Sequence, residues 1–479
     1  MIANGTERPA IPLEAEGSLA TRTRFSRFKH AIGLDRAIAF TVLGRGWSSV
    51  AGIVTVLLIA RFLTPAEQGY YYTFSSLVAL QIIFELGFSF VILQLAAHER
   101  AHLTIQPSGS ITGDQIAHSR LASVLQKAVR WYSVGAVLMA LGLLPSGFYF
   151  FHTHRQPGVP VSWQLPWMAA VLAATVTFQI DPLFAFLEGC GQIHQVARMR
   201  LTQAIAGSLM AWTALILHHG LFAPAMIIAG QAIAGMYFLY TRRRLLLPLL
   251  RHKTTVHIVS WTNEIWPFQW RIAISWLCGY FIFQLFNPVL FAYQGATVAG
   301  QMGMSLTVAS ALGSVALSWM NTKASPFGAL VARREFATLD SLFFRTLWQS
   351  ALLLAFSALV LLLGIALVTH RLPHLAARIL PLPLFALLLA TTFCNHVIFS
   401  EALYLRAHKR EPFLPVSIAV GVLTASSTFL AGRYYGAQGV TIGYFFTSGI
   451  FGLAYGTYTF ITKRQQWHGI SISRGNGTL

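Results

Sequence analysis

Charge is what this sequence has least of. Only 10% of its 479 residues are charged, where a soluble chain of that length would carry roughly a quarter. Acid is the scarcer sign, with 15 Asp and Glu against 34 Lys and Arg. The acids are scattered, and no Asp-x-Asp pair offers a metal site for a nucleotide sugar. No Gly-Lys-Ser/Thr phosphate loop, HExxH motif or clustered metal-ligand spacing is present. Energy from ATP and metalloenzyme chemistry thus have no motif to rest on, and no cofactor or metal is expected. Three cysteines, Cys190, Cys278 and Cys394, are too few and too dispersed for a disulfide framework. Residues 1–36 lack an apolar core, which predicts no cleavable signal peptide.

What the chain has instead is apolar length. It is 55% hydrophobic, with a mean hydropathy of +0.59. Runs of about 20 apolar residues recur throughout, the length that crosses a bilayer as a helix. They are continuous rather than alternating, which favours helices over a barrel. The prediction is an all-α polytopic membrane protein of about twelve transmembrane helices. They run near 38–60, 70–97, 130–151, 164–187, 201–218, 221–240, 265–291, 299–320, 346–368, 380–403, 413–432 and 438–461.

A net charge of +19 could point to nucleic acid, but its placement does not. With the N-terminus inside, the tails and even-numbered loops hold about 27 of the 34 basic residues. The other side holds Arg61, Arg155, Arg371, Arg378 and Arg433, and only Arg45 and Arg271 fall within spans. This is the positive-inside pattern, so both termini are expected in the cytoplasm, with anionic lipid rather than nucleic acid as partner. In the first segment, "TRTRFSRFKH" reads either as an interfacial stretch or as a disordered basic tail.

The sequence divides into a basic segment (1–36), a six-helix bundle (37–240), a cytoplasmic linker (241–264), a second six-helix bundle (265–462) and a cytoplasmic tail (463–479). Each bundle opens with a helix carrying one Arg near its cytoplasmic end, then turns at "RFLTPAEQGYYYTF" or "LFAYQGATVAGQMG". An even number of spans per half predicts a parallel repeat about a pseudo-two-fold axis along the membrane normal. "DQIAHSRLASVLQKAVRW" reads as an amphipathic helix leading into the third span, or as the start of a long span.

Polar stripes run along several spans. Thr41, Arg45, Ser48, Gly52 and Thr55 share one face of the first, and Gln81, Glu85 and Ser89 one face of the second. Ser310, Ser314, Ser318 and Asn321 follow in the eighth, and Thr392, His396 and Ser400 in the tenth. Such stripes serve as packing seams or as cavity walls. Glu85, in "FELGFSF", costs on the order of 3 kcal/mol if left bare in lipid. It either pairs with Arg45 to hold two helices together or faces a wet cavity with it. Asp181-Pro182 and Asn287-Pro288 mark expected kinks. Glu188, Glu264 and Glu401 lie near cytoplasmic ends and are expected at the interface. The candidate cavity residues are Arg45, Gln81, Glu85, Asp181, Arg271 and Asn287.

A membrane enzyme acting on the outer face would need catalytic groups in a loop, yet the longest outer loop, "HTHRQPGVPVSWQ", holds no carboxylate. Movement of a solute across the bilayer is the favoured class, with a glycan-modifying polymerase or acyltransferase as the rival. "RFLTPAEQGYYYTFSSL", "FELGFSF", "FAFLEGCGQIHQVARMR" and "FNPVLFAYQGATVAGQMGMSL" resemble polysaccharide and O-antigen flippases of the multidrug/oligosaccharidyl-lipid/polysaccharide exporter (MOP, MATE-like) superfamily. The major facilitator superfamily shares the twelve-span plan, but "HERAHLTIQPSGSITGDQ" lacks its basic loop pattern. The resemblance implies a bacterial inner-membrane flippase that carries polyprenyl-pyrophosphate-linked oligosaccharide outward, beside glycan-assembly machinery. Alternating access around a cationic central cavity is expected. Because a guanidinium pairs with two phosphate oxygens, Arg45 and Arg271, one per half, are expected to hold the pyrophosphate at an inward-open mouth. A cation-coupled multidrug exporter of the same superfamily is the alternative.

Overall fold

The structure, a computed structural model, describes residues 36–106, 110–155, 160–252, 258–408 and 410–469. The basic N-terminal segment, the end of the C-terminal tail and parts of the second-to-third-span join, the longest outer loop and the 241–264 linker lie outside the described residues. The chain is a multi-pass helical membrane protein. Eight described helices are long and apolar enough to cross a bilayer, or ten if each of two bent pairs is one span.

The first helix, α1, covers Arg36–Phe62. Thr64 then caps α2 (Pro65–Val78) through a reciprocal pair with Glu67. The Thr64 hydroxyl accepts from the Glu67 N–H at 3.2 Å, and the Glu67 carboxylate accepts from the Thr64 N–H at 2.8 Å. With proline as the first helical residue, the sequence "TPAE" starts the helix by itself.

The second span departs from the expected unbroken run over 70–97. It begins earlier, at Pro65, and breaks at Leu86 and Gly87, both left-handed with φ of 49° and 67°. A bend of 46° separates Pro65–Glu85 from α4 (Phe88–Arg100), the short α3 being Ile82–Glu85. Gly87 suits this backbone because it has no Cβ, which would lie 2.3 Å from Ile272 Cγ2. The Phe84 carbonyl at the break accepts from the Trp131 indole N–H at 3.2 Å, so the interruption leaves that group satisfied.

A two-stranded antiparallel hairpin, β1 (Leu103–Ile105) with β2 (Ile111–Gly113), corrects the all-α expectation. Its paired residues include the β-branched Thr104, Ile105, Ile111 and Thr112, which favour an extended chain. Asp114 then caps α5 (Gln115–Thr153), one helix that includes the expected amphipathic stretch. Leu121, Val124 and Leu125 are buried within the protein rather than laid on a lipid surface.

The next helices are α6 (Gln164–Gly189), which runs through Pro182 without interruption, α7 (Ile193–Ile216), α8 (Ala223–Thr241) and α9 (Arg243–Arg251). The seventh span is the second bent pair, α10 (Trp266–Phe283) and α11 (Phe286–Gln294), at 41°. The break comes at Gln284 and Leu285, just ahead of Asn287-Pro288, where proline cannot supply the next hydrogen bond. Helices α12 (Ala296–Asn321), α13 (Ala324–Arg333), α14 (Phe336–Arg371) and α15 (Leu382–Arg406) follow.

The last segment, α16 (Leu414–Tyr444) continuing into α17 (Gly452–His468), doubles back at Gly436, where φ is 60°. Thr424 and Thr447 would be about 35 Å apart along a straight helix, yet their hydroxyls meet at 3.0 Å. Glu401, expected at the interface, is instead 4% exposed and accepts from the Thr457 hydroxyl at 2.8 Å.

Candidate functional site

Helices α1, α2, α10–α12 and α15 surround a cavity of about 660 Å³, with Tyr444 of α16 completing the wall. Its polar lining comes from Thr55, Ser75, Ser76, Gln284, Asn287, Thr307, Ser310, Ser314, Thr392, Asn395 and His396, with Tyr71, Phe283 and Phe399 as aromatic surface. On α12 the lining residues Gly303, Thr307, Ser310, Ser314 and Leu317 recur every three or four positions, which is one helix face.

Several of these groups hold one another in place. Asn287 donates its side-chain amide N–H to the Ser76 hydroxyl at 3.0 Å, and Ser76 donates to Gln284 Oε1 at 3.4 Å. Asn395 donates to the Tyr444 hydroxyl at 2.9 Å and accepts from Ser448 at 2.9 Å. His396 Nε2 meets the Ser350 hydroxyl at 2.8 Å. Asn287 Oδ1 and His396 Nδ1 are buried without a hydrogen-bond partner. Such groups are costly to leave unmade.

The two turns singled out in the sequence pack against each other beyond the Tyr72 and Gly303 end of the cavity. A Cβ on Gly69 would lie 1.9 Å from the Ala296 carbonyl oxygen, and one on Gly300 would lie 2.9 Å from the Gly69 nitrogen. Gln68, 1% exposed, donates to the Gly300 carbonyl at 2.8 Å and the Arg378 carbonyl at 2.9 Å. Toward the opposite end, Arg45, Ser48, Ser310 and Ser314 are exposed.

Beside the cavity runs an apolar groove of about 410 Å³ between α1, α12 and α14. Ile53, Leu57, Val308, Leu312, Val315, Leu353 and Leu361 line it, and it shares Gly52, Val56 and Thr307 with the cavity. Polar and apolar spaces therefore adjoin across one turn of α1.

Of the six candidate residues, Asn287 lines the cavity. The others lie elsewhere. Arg45 is exposed on α1, about 10 Å below Gly52 along the helix. Arg271 is exposed on α10, its guanidinium 5.3 Å from the Trp270 ring centre. No ion pair joins Arg45 to Glu85 among the described residues. Glu85 is half-buried at the break in the second span, where it accepts from Ser89 at 2.6 Å and from the Tyr132 hydroxyl at 3.4 Å. Gln81 and Asp181 are half-buried outside the cavity. The expected cationic lining is thus corrected. No Lys, Arg, Asp or Glu lines the cavity, because both span arginines sit nearer the helix ends than the polar rows do.

From the stripes on the first, eighth and tenth spans, Thr55, Ser310, Ser314, Thr392 and His396 line the cavity. Ser75, Ser76 and Asn395 carried too little local pattern to single out. Among the described residues no group of three His, Cys, Asp or Glu could hold a metal ion.

No protein-family profile and no curated protein matches the chain by sequence. Solved structures do match. An inward-facing multidrug resistance MATE family transporter of the MOP superfamily aligns over 87% of this chain and 99% of its own, with a TM-score of 0.54 and 13% identity. Lipid II flippase MurJ, in an inward closed conformation, aligns over 90% of both chains, with a TM-score of 0.56 and 14% identity. A MATE protein in a straight conformation aligns over 91% of this chain and 98% of its own, with a TM-score of 0.55 and 13% identity. These proteins are transporters and a flippase rather than enzymes, and the chain has the fold they share.

Proposed function

We propose that this protein is a flippase for polyprenyl-pyrophosphate-linked oligosaccharide, moving it from the cytoplasmic to the outer leaflet of a bacterial inner membrane. The observation that carries the reading is an uncharged polar cavity adjoining an apolar groove, with Gly52, Val56 and Thr307 bordering both. A substrate with hydroxyl-rich sugars and a long hydrocarbon tail needs both surfaces at once. Hydroxyl, amide and aromatic groups suit sugars, and the groove suits the tail. Similarity in fold to a lipid II flippase supports a lipid-linked substrate.

In this reading twelve spans form two six-helix halves, 37–240 and 265–462, related by a pseudo-two-fold axis along the membrane normal, with both termini cytoplasmic. The Gly69 and Gly300 contact then faces outward, and the cavity is poised toward the cytosol. Arg45 and Arg271, one per half, hold the pyrophosphate at the mouth, since a guanidinium pairs with two phosphate oxygens at once. Glu85 keeps the broken second span in place through Ser89 and Tyr132, with Gln81 and Asp181 in the same half-buried region. An inside-negative potential favours export of the anionic group by about 2.3 kcal/mol per charge per 100 mV. Enzymes that assemble the glycan supply the substrate.

The test is direct. Deleting the gene should leave lipid-linked oligosaccharide on the cytoplasmic leaflet, and R45A with R271A should slow its movement in proteoliposomes. Full-rate flipping by that pair would remove the pyrophosphate assignment. A second reading, multidrug export, draws on the uncharged, drug-sized cavity. Efflux of a cationic dye by the purified protein, without glycolipid movement, would put it first.

A further inference from the structure

Four arginines gather around a second pocket, of about 650 Å³, that the transport reading does not use. Arg100 ends α4, while Arg242, Arg243 and Arg244 lie where α8 gives way to α9. Gly191 and Gln192, between α6 and α7, and Gln195 in the first turn of α7 also line it. No Asp or Glu lines the pocket, and none of the four arginines makes an ion pair among the described residues. The nearby Glu188 is taken by Arg200 at 3.3 Å. Four like charges converging on one space repel unless an anion joins them.

Two of the guanidinium groups sit against aromatic rings. Arg243 stacks 4.0 Å from the Tyr240 ring centre and Arg242 5.4 Å from that of Phe238. Stacking uses the flat face and leaves the in-plane N–H groups for an oxyanion. Arg100 lies against Gly191, where a Cβ would come within 3.2 Å of its Nε. Arg242 Nε, Gln192 Oε1 and Gln195 Oε1 are buried without partners. The other half differs. There Arg464 is bound by Asp340, and Arg406 pairs with Glu411 at 2.9 Å.

We propose that Arg100, Arg242, Arg243 and Arg244 form a binding site for a phosphate-bearing anion, separate from the transport path. Tyr237 and Tyr240, 73% and 63% exposed at its rim, match the aromatic belt that marks headgroup depth. They favour an anionic lipid headgroup over free phosphate as the source. A basic pocket between helices near the membrane surface has the charge to retain such a lipid.

The experiment uses the full chain in neutral detergent, with bound lipid read by native mass spectrometry and stability by thermal melting. Cardiolipin, phosphatidylglycerol, phosphatidylcholine and inorganic pyrophosphate are added in separate arms. The two anionic lipids should be retained and should raise the melting temperature, while phosphatidylcholine should not. In R243A/R244A, and in R100A as a variant on a different element, retention should fall roughly tenfold or more. R198A, an exposed arginine outside the pocket, should retain lipid like the wild type. Stabilisation by pyrophosphate alone, lost in the same variants, would keep the site and assign it to a soluble phosphate compound. Equal retention by the pocket variants and the wild type, or equal retention of phosphatidylcholine, would overturn the site. Glycolipid flipping is not the readout, so failure here leaves the transport reading standing.

Discussion

The polar cavity and the apolar groove are neighbours that share two helices, α1 and α12, and their chemistry is opposite. On α12, Gly303, Thr307, Ser310 and Ser314 face the cavity, whereas Val308, Ala311, Leu312 and Val315 face the groove. The two rows are offset by a single residue, a rotation of about 100° on a helix. On α1, Thr55 faces one space, Ile53 and Leu57 the other, and Gly52 and Val56 border both. One helix thus presents hydroxyls to one space and hydrocarbon to the other at the same depth.

The strongest way to break this arrangement is to keep the Gly69 and Gly300 turns apart. Gly69→Leu places side-chain atoms where a single Cβ already lies 1.9 Å from the Ala296 carbonyl oxygen. Overpacking of that kind costs about 3 kcal/mol, which is roughly a hundredfold in population. Flipping in proteoliposomes should drop to near background. Cysteine labelling from the outer side should also reach cavity positions such as Ser76 that the closed form shields. Wild-type rates would show that this contact does not gate the cavity.

Filling the groove separates the two surfaces. Val308→Trp with Ala311→Trp should slow flipping of a long-chain glycolipid about tenfold, a loss of roughly 1.4 kcal/mol in transition-state terms. Binding of a short-chain analogue to the cavity should stay within about twofold, which isothermal titration can read. Equal loss for both ligands would mean that the groove merely supports the cavity. Asn287→Ala acts on the polar side, removing a donor to Ser76. At about 1 kcal/mol for one hydrogen bond, it should weaken both ligands about fivefold.

The smallest effect expected concerns neither space. Arg120 bridges Glu99 and Glu264 where the linker meets the seventh span. Burial alone would raise the Glu264 carboxyl. The Arg120 hydrogen bond and the Ser260 N–H outweigh burial and hold it below the usual range. A depressed carboxyl contributes stability above its unfolded value, and that contribution is lost as pH falls through the folded value. Glu264 is partly exposed, so the contribution is under about 1 kcal/mol. Melting temperature should therefore fall slightly more for wild type than for E264Q as pH drops from 6 to about 3, through the lowered folded value. Identical pH profiles would dismiss the bridge as a source of stability.

Much of the fold was legible because a bilayer imposes one rule on every crossing segment: bury apolar length and satisfy the backbone internally. The helix start at Thr64-Pro65 and the break beside Asn287-Pro288 follow from local chemistry that any reader of the sequence can apply. The break at Leu86 was not legible. Leucine is a poor choice for a left-handed turn, and it is tolerated where Gly87 meets Ile272 and Trp131 caps the exposed carbonyl. The hairpin 103–113 was hidden too, inside a join read as loop and helix. Polar stripes signalled walls, but a stripe does not say which of its members are deep enough to line the space. Arg45 shares a face with Thr55 and still lies more than two turns away from it.

By itself the sequence determined that this chain crosses a membrane many times as helices, because hydropathy and helix period are properties of contiguous residues. Tertiary structure alone decided that no Lys, Arg, Asp or Glu lines the cavity, that Glu85 answers to Ser89 and Tyr132 instead of Arg45, and that four arginines from two connections line one pocket. Those facts depend on which residues meet across well-separated stretches of chain, as Glu85 meets Tyr132 and Arg100 shares a pocket with Arg242. Burial of side chains against distant helices sets that, and no local pattern encodes it.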